Sequence, residues 1–253
     1  MGPIQQGGDE GRPPLAPAVP EGTRVYAVGD IHGRADLLHR IQGLIREDAA
    51  GASDQRKVVV YLGDYVDRGP ESFQVVEHLI SHPLDGFESI HLKGNHEEFI
   101  IRFVEDGTMG TAWMMNGGSA TLVSYEVSAF NLFFGEPGLR RARKRLAETI
   151  PRDHLDFYHG LRLTHAEGDY LFVHAGLRPG VAIDDQKEGD MIWIRDAFLK
   201  AEGGFDKVVV HGHSIEPEPD IRAHRIGIDT GAYRSGRLTC LVLEGRDRRF
   251  LHT

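Results

Sequence analysis

Asp30 and His32, then Asp64, Asp67 and Arg68, then Asn95 and His96, and further on His174, His211 and His213 each stand at or just after the end of a short apolar run. Taken singly, an aspartate after glycine reads as a turn residue or helix cap, and a histidine near a strand end as a hydrogen-bonded structural side chain. Repetition changes the weighing, because each occurs where a buried strand would deliver it to the same edge. As a donor set they offer carboxylates, imidazoles and an amide oxygen without thiolate. Such a set suits Mn, Fe or Zn and argues against a calcium or magnesium cage. A carboxylate has two oxygens and can bridge two ions, and Asp64, central in chain order, is the natural bridge. Ions about 3.5–4 Å apart would share a water, lower its pKa and hold a phosphoryl group for in-line attack.

Positioning these residues requires strands that end together. "RVYAV" reads as a strand, and "ADLLHRIQGLIRED" places Leu37, Leu38, Ile41, Leu44 and Ile45 at helical spacing. "KVVVYL" and "SIHL" read as further strands, "ESFQVVEHLIS" and "EEFIIRFVED" as the helices that follow them. Strand and helix thus alternate three times, the mark of a parallel or mixed sheet covered by helices. Ligands of such sheets collect beyond the carboxyl ends of the strands. The loops Gly29–Gly33, Gly63–Gly69 and Gly94–Glu97 are therefore expected to meet on one edge.

Residues 106–160 read as a helical insertion lying over that edge, with "GLRRARKRLAETI" a basic helix ending before Pro151. Within it Arg140 to Arg145 is expected to be a solvated helix face, and Asn116 to Gly118 a turn. A hairpin-like "LRLTHAEGDYLFVHAG", a helical "WIRDAFLKAEG" and the strands "KVVVHGH", "HRIGID" and "RLTCLVLE" complete the chain. One domain with two sheets is expected over residues 23–253. Residues 1–22, rich in glycine and proline, are expected to be a flexible tail.

Composition narrows the partners. The 253 residues are 40% hydrophobic and 26% charged, ordinary for a globular protein, and the net charge is -9. That balance argues against broad binding of nucleic acid or anionic membranes, so an anionic substrate needs local help from metal ions or placed arginines. The single cysteine, Cys240, cannot form an internal disulfide and lies in an apolar run, which fits a reducing, cytoplasmic setting. No apolar run approaches the roughly 18 residues of a membrane span. The acidic N-terminus, without an apolar stretch, is not expected to act as a signal peptide.

"GDIHG", "GDYVDRG", "GNHE", "HAG" and "HGH" together resemble, in order and spacing, the signature of the phosphoprotein phosphatase family of binuclear, calcineurin-like metallophosphoesterases, and are most similar to its bacterial and phage branch. The resemblance runs from about Arg24 to Leu243. It implies a four-layer α/β/β/α sandwich of two mixed sheets and hydrolysis of phosphomonoesters, often on phosphoserine and phosphothreonine. Two divalent ions, with manganese first and iron or zinc as options, are implied as cofactors. Asp30 and His32 would hold the first metal, Asp64 would bridge, and Asn95, His174 and His213 would hold the second. The family's ligand follows glycine in "HGH", which favours His213, although a strand delivers His211 and His213 to the same face and periodicity does not separate them.

The resemblance further makes His96 the general acid, Asp67 its orienting partner, and Arg68 a planar fork for phosphate oxygens. Arg195, placed after a tryptophan, resembles a second phosphate-binding arginine, and Asn95 would also touch the phosphate. A phosphorylated protein or peptide is the expected partner. Two rivals stand beside this expectation. One is symmetrical diadenosine tetraphosphate hydrolase, whose members usually lack an acid at the place of Asp67 and carry "GNHD" instead of "GNHE". The other is a non-catalytic scaffold that binds phosphoproteins, which predicts a missing ligand or acid.

Overall fold

The computed structural model describes residues 16–51, 54–128 and 135–253. Its strands, in chain order, are β1 (Thr23–Val28), β2 (Arg56–Tyr61), β3 (Glu88–His91), β4 (Thr164–Glu167), β5 (Tyr170–Val173), β6 (Val208–His211), β7 (Asp220–Ile221), β8 (Arg225–Gly227), β9 (Thr239–Glu244) and β10 (Asp247–His252). They form two mixed sheets, ordered β10-β9-β1-β2-β3 and β4-β5-β6-β8-β7. In the first, β1, β2 and β3 are parallel, and β9 pairs antiparallel with both β1 and the edge strand β10; in the second, β5, β6 and β8 are parallel between antiparallel edge strands.

Period-two alternation explains why two sheets stack. Val25, Ala27, Val58, Val60, Leu241 and Leu243 face Phe172, Val210 and Ile226 in one core cluster between the sheets. The intervening Tyr26, Val28, Val59, Tyr61, Cys240 and Val242 face outward into a helical layer. Leu171, Val173 and Val209 point the other way, against Met191, Ile192 and Phe198. Both faces of each sheet are therefore covered, giving helix, sheet, sheet and helix as layers. Each fully buried aliphatic or phenylalanine side chain contributes roughly 1.5–3 kcal/mol of burial free energy, so the apolar strand runs commit the chain to this stacking. Cys240 lies buried in β9.

On the outer face of the first sheet lie α1 (Ala35–Ala49), α2 (Ser72–Ser81) and α3 (Asn95–Glu105). Residues 106–160 add α4 (Gly110–Met115), α5 (Gly118–Ser124), α6 (Gly135–Thr149) and α7 (Arg152–His159). These do not merely lie over the strand edge. Trp113, Leu122, Tyr125, Ala142, Leu146 and Tyr158 are buried in the same cluster as α1 to α3, so the segment extends the helical layer. The basic run on α6 is not wholly solvated either: Arg143 donates to the carbonyl oxygens of Val104 and Glu105 at the end of α3.

The helix expected through "WIRDAFLKAEG" is broken into α8 (Glu188–Trp193) and α9 (Asp196–Leu199). Ile194 between them is extended (ψ 141°) and buried, as are Ile192 and Phe198 in the same cluster. A short α10 (Ala232–Ser235) precedes β9. Of the expected tail, residues 1–15 lie outside the described residues. The rest is tied down at two residues: Val19 is buried and its N–H donates to Gly245 O at 2.9 Å, and Ala18 N–H reaches the Asp169 carboxylate at 2.9 Å.

Candidate metal centre

The first three strands deliver their polar residues together because their loops interlock. Ile31 and His32 donate backbone N–H groups to Asp64 O, and Gly33 to Tyr65 O. Glu97 ties the second loop to the third: its carboxylate accepts N–H from Asp64 and Tyr65 (both 2.8 Å) and from Gly94 (2.9 Å). Gly94 has to be glycine, since a methyl group there would meet the Asp64 carboxylate and backbone nitrogen. The N-terminus of α3 then points at Asp64, with His96 N–H 3.1 Å from Oδ1, an arrangement that favours negative charge.

The backbone is strained here. Five of the seven non-glycine residues with positive φ among the described residues are His32, Asp64, Asp67, Arg68 and His213. Each such conformation costs of order 1–3 kcal/mol and clusters at functional sites. At His213 it also separates the two candidate histidines. β6 ends at His211 and the chain turns through Gly212, so strict alternation stops and only His213 reaches Asp64 and His174. His211 packs edge-on against Phe198 and near Arg225.

Two sets of side chains could each hold a cation, with ligand atoms within 4.8 Å of one another: His32, Asp64 and His96, and Asp64, His174 and His213. Asp64 belongs to both. Proton placement tests the fit. His174 Nδ1 donates to Leu62 O at 2.9 Å, which leaves its Nε2 lone pair facing Asn95 Oδ1 at 3.1 Å and Asp64 Oδ1 at 3.4 Å. His213 Nε2 is buried with no hydrogen-bond partner among the described residues. The lone pairs of His174 Nε2, Asn95 Oδ1 and Asp64 Oδ1 thus converge without a hydrogen among them and repel, and a cation removes the conflict. On the other side of Asp64, His32 Nδ1 is fixed by Val66 O at 2.8 Å, and its Nε2 lies 3.5 Å from Asp64 Oδ2. There the Arg68 guanidinium supplies the positive charge, 2.9 Å from His32 Nε2 and 3.2 Å from His96 Nε2.

The titration pattern agrees with a cation site. Burial pushes the imidazoles of His32, His174 and His213 down, keeping them neutral and able to ligate. Burial opposes ionisation of Asp64, yet His174, His96 and His32 around it hold the carboxyl far below the usual range. Asp30 is raised by burial and by the nearby charges of Asp229 and Asp64. Its carboxylate accepts the His213 N–H at 3.0 and 3.2 Å, so it sits against the last loop and outside both sets of converging ligand atoms.

His96 and Asp67 form a separate unit. His96 Nδ1 is 2.6 Å from Asp67 Oδ2. Burial lowers the His96 pKa, but Asp64 and the bond to Asp67 outweigh it and raise the imidazole above its usual value. Arg195 is exposed at the start of α9, and its charge is felt at His174 and His213.

Several contributors escaped the reading of the sequence. Trp113 and Thr121 hold Asp67, Glu97 holds the loops, and Tyr233 stacks under Arg68 with its ring centre 4.9 Å from the guanidinium carbon. Asp229 could have been found, since "RIGID" is one more apolar run followed by aspartate, two residues past the end of β8. The turn at Asn116 to Gly118 braces the second loop, because Gly117, at φ +101°, lies against Arg68 and accepts its backbone N–H at 3.3 Å.

The sequence profile of the calcineurin-like phosphoesterase family matches residues 23–237. The chain is 27% identical over 228 residues to serine/threonine-protein phosphatase 2 of Escherichia coli (strain K12), covering 85% of this chain and 90% of the relative. It is 28% identical over 232 residues to the bis(5'-nucleosyl)-tetraphosphatase PrpE [asymmetrical] of Anoxybacillus flavithermus, covering 85% and 88%. These dinucleotide-hydrolase relatives carry the asymmetrical name, whereas the sequence suggested a symmetrical rival. Among solved structures, a diadenosine tetraphosphatase-like chain superposes with TM-score 0.61 at 22% identity, covering 94% and 98% of the two chains. The cold-active protein-tyrosine phosphatase of a psychrophilic Shewanella superposes with TM-score 0.54 at 16% identity, covering 92% and 83%. No helix among the described residues is long and apolar enough to cross a membrane.

Proposed function

Because this chain belongs to the calcineurin-like phosphoesterase family and is a metallophosphoesterase, we propose that it removes phosphate from serine and threonine side chains of proteins. The observation that carries this reading is the buried pair of His96 and Asp67, 2.6 Å apart beside Arg68. A serine alkoxide is a poor leaving group unless protonated, and a positioned acid is worth about 10²- to 10⁴-fold. Cleavage of a dinucleotide polyphosphate expels a phosphate group, which leaves readily without such an acid. The elaborate support of His96 therefore fits an alcohol leaving group better.

His32 and Asp64, joined by Asp30 once its carboxylate turns from the His213 N–H, would hold one divalent ion and Asp64, Asn95, His174 and His213 the other, with manganese the leading choice for this oxygen and nitrogen set. Bound there, the ions would supply a nucleophile at neutral pH and neutralise phosphoryl charge. Arg68 is the mobile partner of this scheme. It rests on the lone pairs of His32 and His96, and turning its fork to phosphate oxygens frees His96 Nε2 to carry the proton given to the leaving oxygen. Tyr233 limits that movement to the plane of its own ring face. Arg195 and Asn95 would bind further phosphate oxygens.

A groove of about 310 Å³ lined by Arg68, Pro70, Ser119, Ala120 and Val123 adjoins Arg68, room for the residue next to a phosphoserine. Hydrolysis of dinucleotide tetraphosphates is the second reading, favoured by the names of the PrpE relatives. The test compares initial rates of the manganese-loaded protein on a phosphoserine peptide and on diadenosine tetraphosphate, with para-nitrophenyl phosphate as a control. Faster peptide turnover supports the proposal, and a faster dinucleotide rate replaces it with the second reading. No turnover of any of the three would favour the scaffold.

A further inference from the structure

Outside both sets of converging ligand atoms, the helical layer carries three histidines whose arrangement the phosphoesterase site does not use: His39 on α1, His78 in the last turn of α2, and His82, the residue that caps α2. His39 Nε2 lies 3.1 Å from His78 Nδ1. His82 stacks on His78, ring centres 5.2 Å apart and nearly parallel.

A fixed tautomer gives this cluster its meaning. Gln42 is buried, and its amide nitrogen donates to Tyr61 Oη at 2.8 Å, so its oxygen is the atom turned to His78 Nε2, also at 2.8 Å. His78 therefore carries its proton on Nε2, and the Nδ1 lone pair is aimed at the His39 ring. A ring nitrogen tied to an amide oxygen while the other faces a second imidazole is the arrangement that orients histidine ligands towards a metal. Two imidazole nitrogens on one tetrahedral zinc ion, with bonds of 2.0–2.1 Å, stand about 3.3 Å apart, close to the spacing here. Burial first, and then the neighbouring His39, His82 and Arg46, push the His78 imidazole down to about 4, which keeps it neutral and able to ligate at physiological pH.

We propose that His39 Nε2 and His78 Nδ1 form a second, independent site for a borderline divalent ion such as zinc, clamping α1 to α2. His82 is exposed on the same turn and supplies a third imidazole after a side-chain rotation, with water completing the shell. Imidazole donors select zinc, copper or nickel over manganese, so this site discriminates where the dimetal centre does not.

The test measures zinc content of the full chain by elemental analysis after dialysis against a slight excess of zinc, for the wild-type protein and His39→Ala. The proposal predicts one fewer zinc ion per chain in the variant, whatever number the phosphoesterase centre holds. His39 is exposed and outside the catalytic groups, so an unchanged rate on para-nitrophenyl phosphate with manganese verifies that the variant is folded. Nitrogen-15 spectra of the histidine rings provide the second measurement: zinc is predicted to shift His78 Nδ1 while Nε2 keeps its proton. Equal zinc content in the two proteins, or zinc bound through His78 Nε2, would overturn the site.

Discussion

The indole of Trp113 donates its Nε1–H to both carboxylate oxygens of Asp67, at 2.9 and 2.8 Å, in a fully buried contact. Thr121 adds its hydroxyl to Oδ1 at 2.6 Å, and His96 takes Oδ2. The helices α4 and α5 thus reach through Asp67 to the imidazole that the proposed chemistry depends on. A carboxylate held by three donors cannot rotate away from His96, and its charge is shared among short, charge-assisted bonds.

Trp113→Phe keeps the ring but removes the donor. Steady-state kinetics on para-nitrophenyl phosphate are expected to show kcat lower by about tenfold, the equivalent of ~1.4 kcal/mol in the barrier, with KM nearly unchanged. An unaltered kcat would mean that the indole only packs.

Asp67→Asn changes the charge instead. Asp67 helps to raise the His96 pKa, and an acid works only while protonated, so activity should fall as pH climbs through that raised value. Without the carboxylate the His96 value drops, and the basic limb of the kcat profile should move to lower pH. A limb that stays in place would dissociate His96 from it.

Which parts of this were legible in the sequence follows from the range of the forces involved. The strands that lead to Asp30, Asp64 and His174 announce themselves through apolar runs closed by glycine or followed at once by a polar residue, because burial on both faces leaves no other pattern. The choice between His211 and His213 was not legible, since the left-handed turn that separates them depends on the Asp30 carboxylate receiving the His213 N–H. Trp113 looks like any core tryptophan until α4 is seen to pack beside α3. The break at Ile194 was equally hidden, because its apolar neighbours suit a helix as well as the extended link. The solvated face expected at Arg140 to Arg145 overlooked Arg143, whose carbonyl partners belong to a distant helix end.

Glu97 tests whether the loops need their common acceptor. Burial and the Asp64 charge push its carboxyl up to about 7, while N–H groups of Asp64 and Tyr65 pull the other way. In Glu97→Gln an amide N–H faces those donors. Manganese affinity measured by calorimetry is expected to fall by about 10- to 100-fold, as for other residues that orient metal ligands. Unchanged affinity would leave Glu97 a helix cap and nothing more.

Asp48 offers a stability test remote from the site. It accepts Tyr26 Oη at 2.7 Å and two Arg249 nitrogens within 3.2 Å, pinning the end of α1 to β1 and β10. Burial opposes its charge, but Arg249 and Tyr26 hold the carboxyl below its usual value. The stabilisation is therefore present above the unfolded carboxylate value and lost as pH falls through the folded one. Denaturant melts should show Asp48→Asn less stable by about 1.5–3 kcal/mol at neutral pH, with the difference shrinking below about pH 4. A pH-independent difference would contradict the ionic assignment.

The most direct measurement is anomalous diffraction at the manganese edge from crystals of the full chain grown with manganese. Two peaks are predicted, one on each side of the Asp64 carboxylate: the first beside His32, the second beside Asn95, His174 and His213. A single peak, or ions bound elsewhere with Asp64 touching neither, would contradict the shared-carboxylate centre.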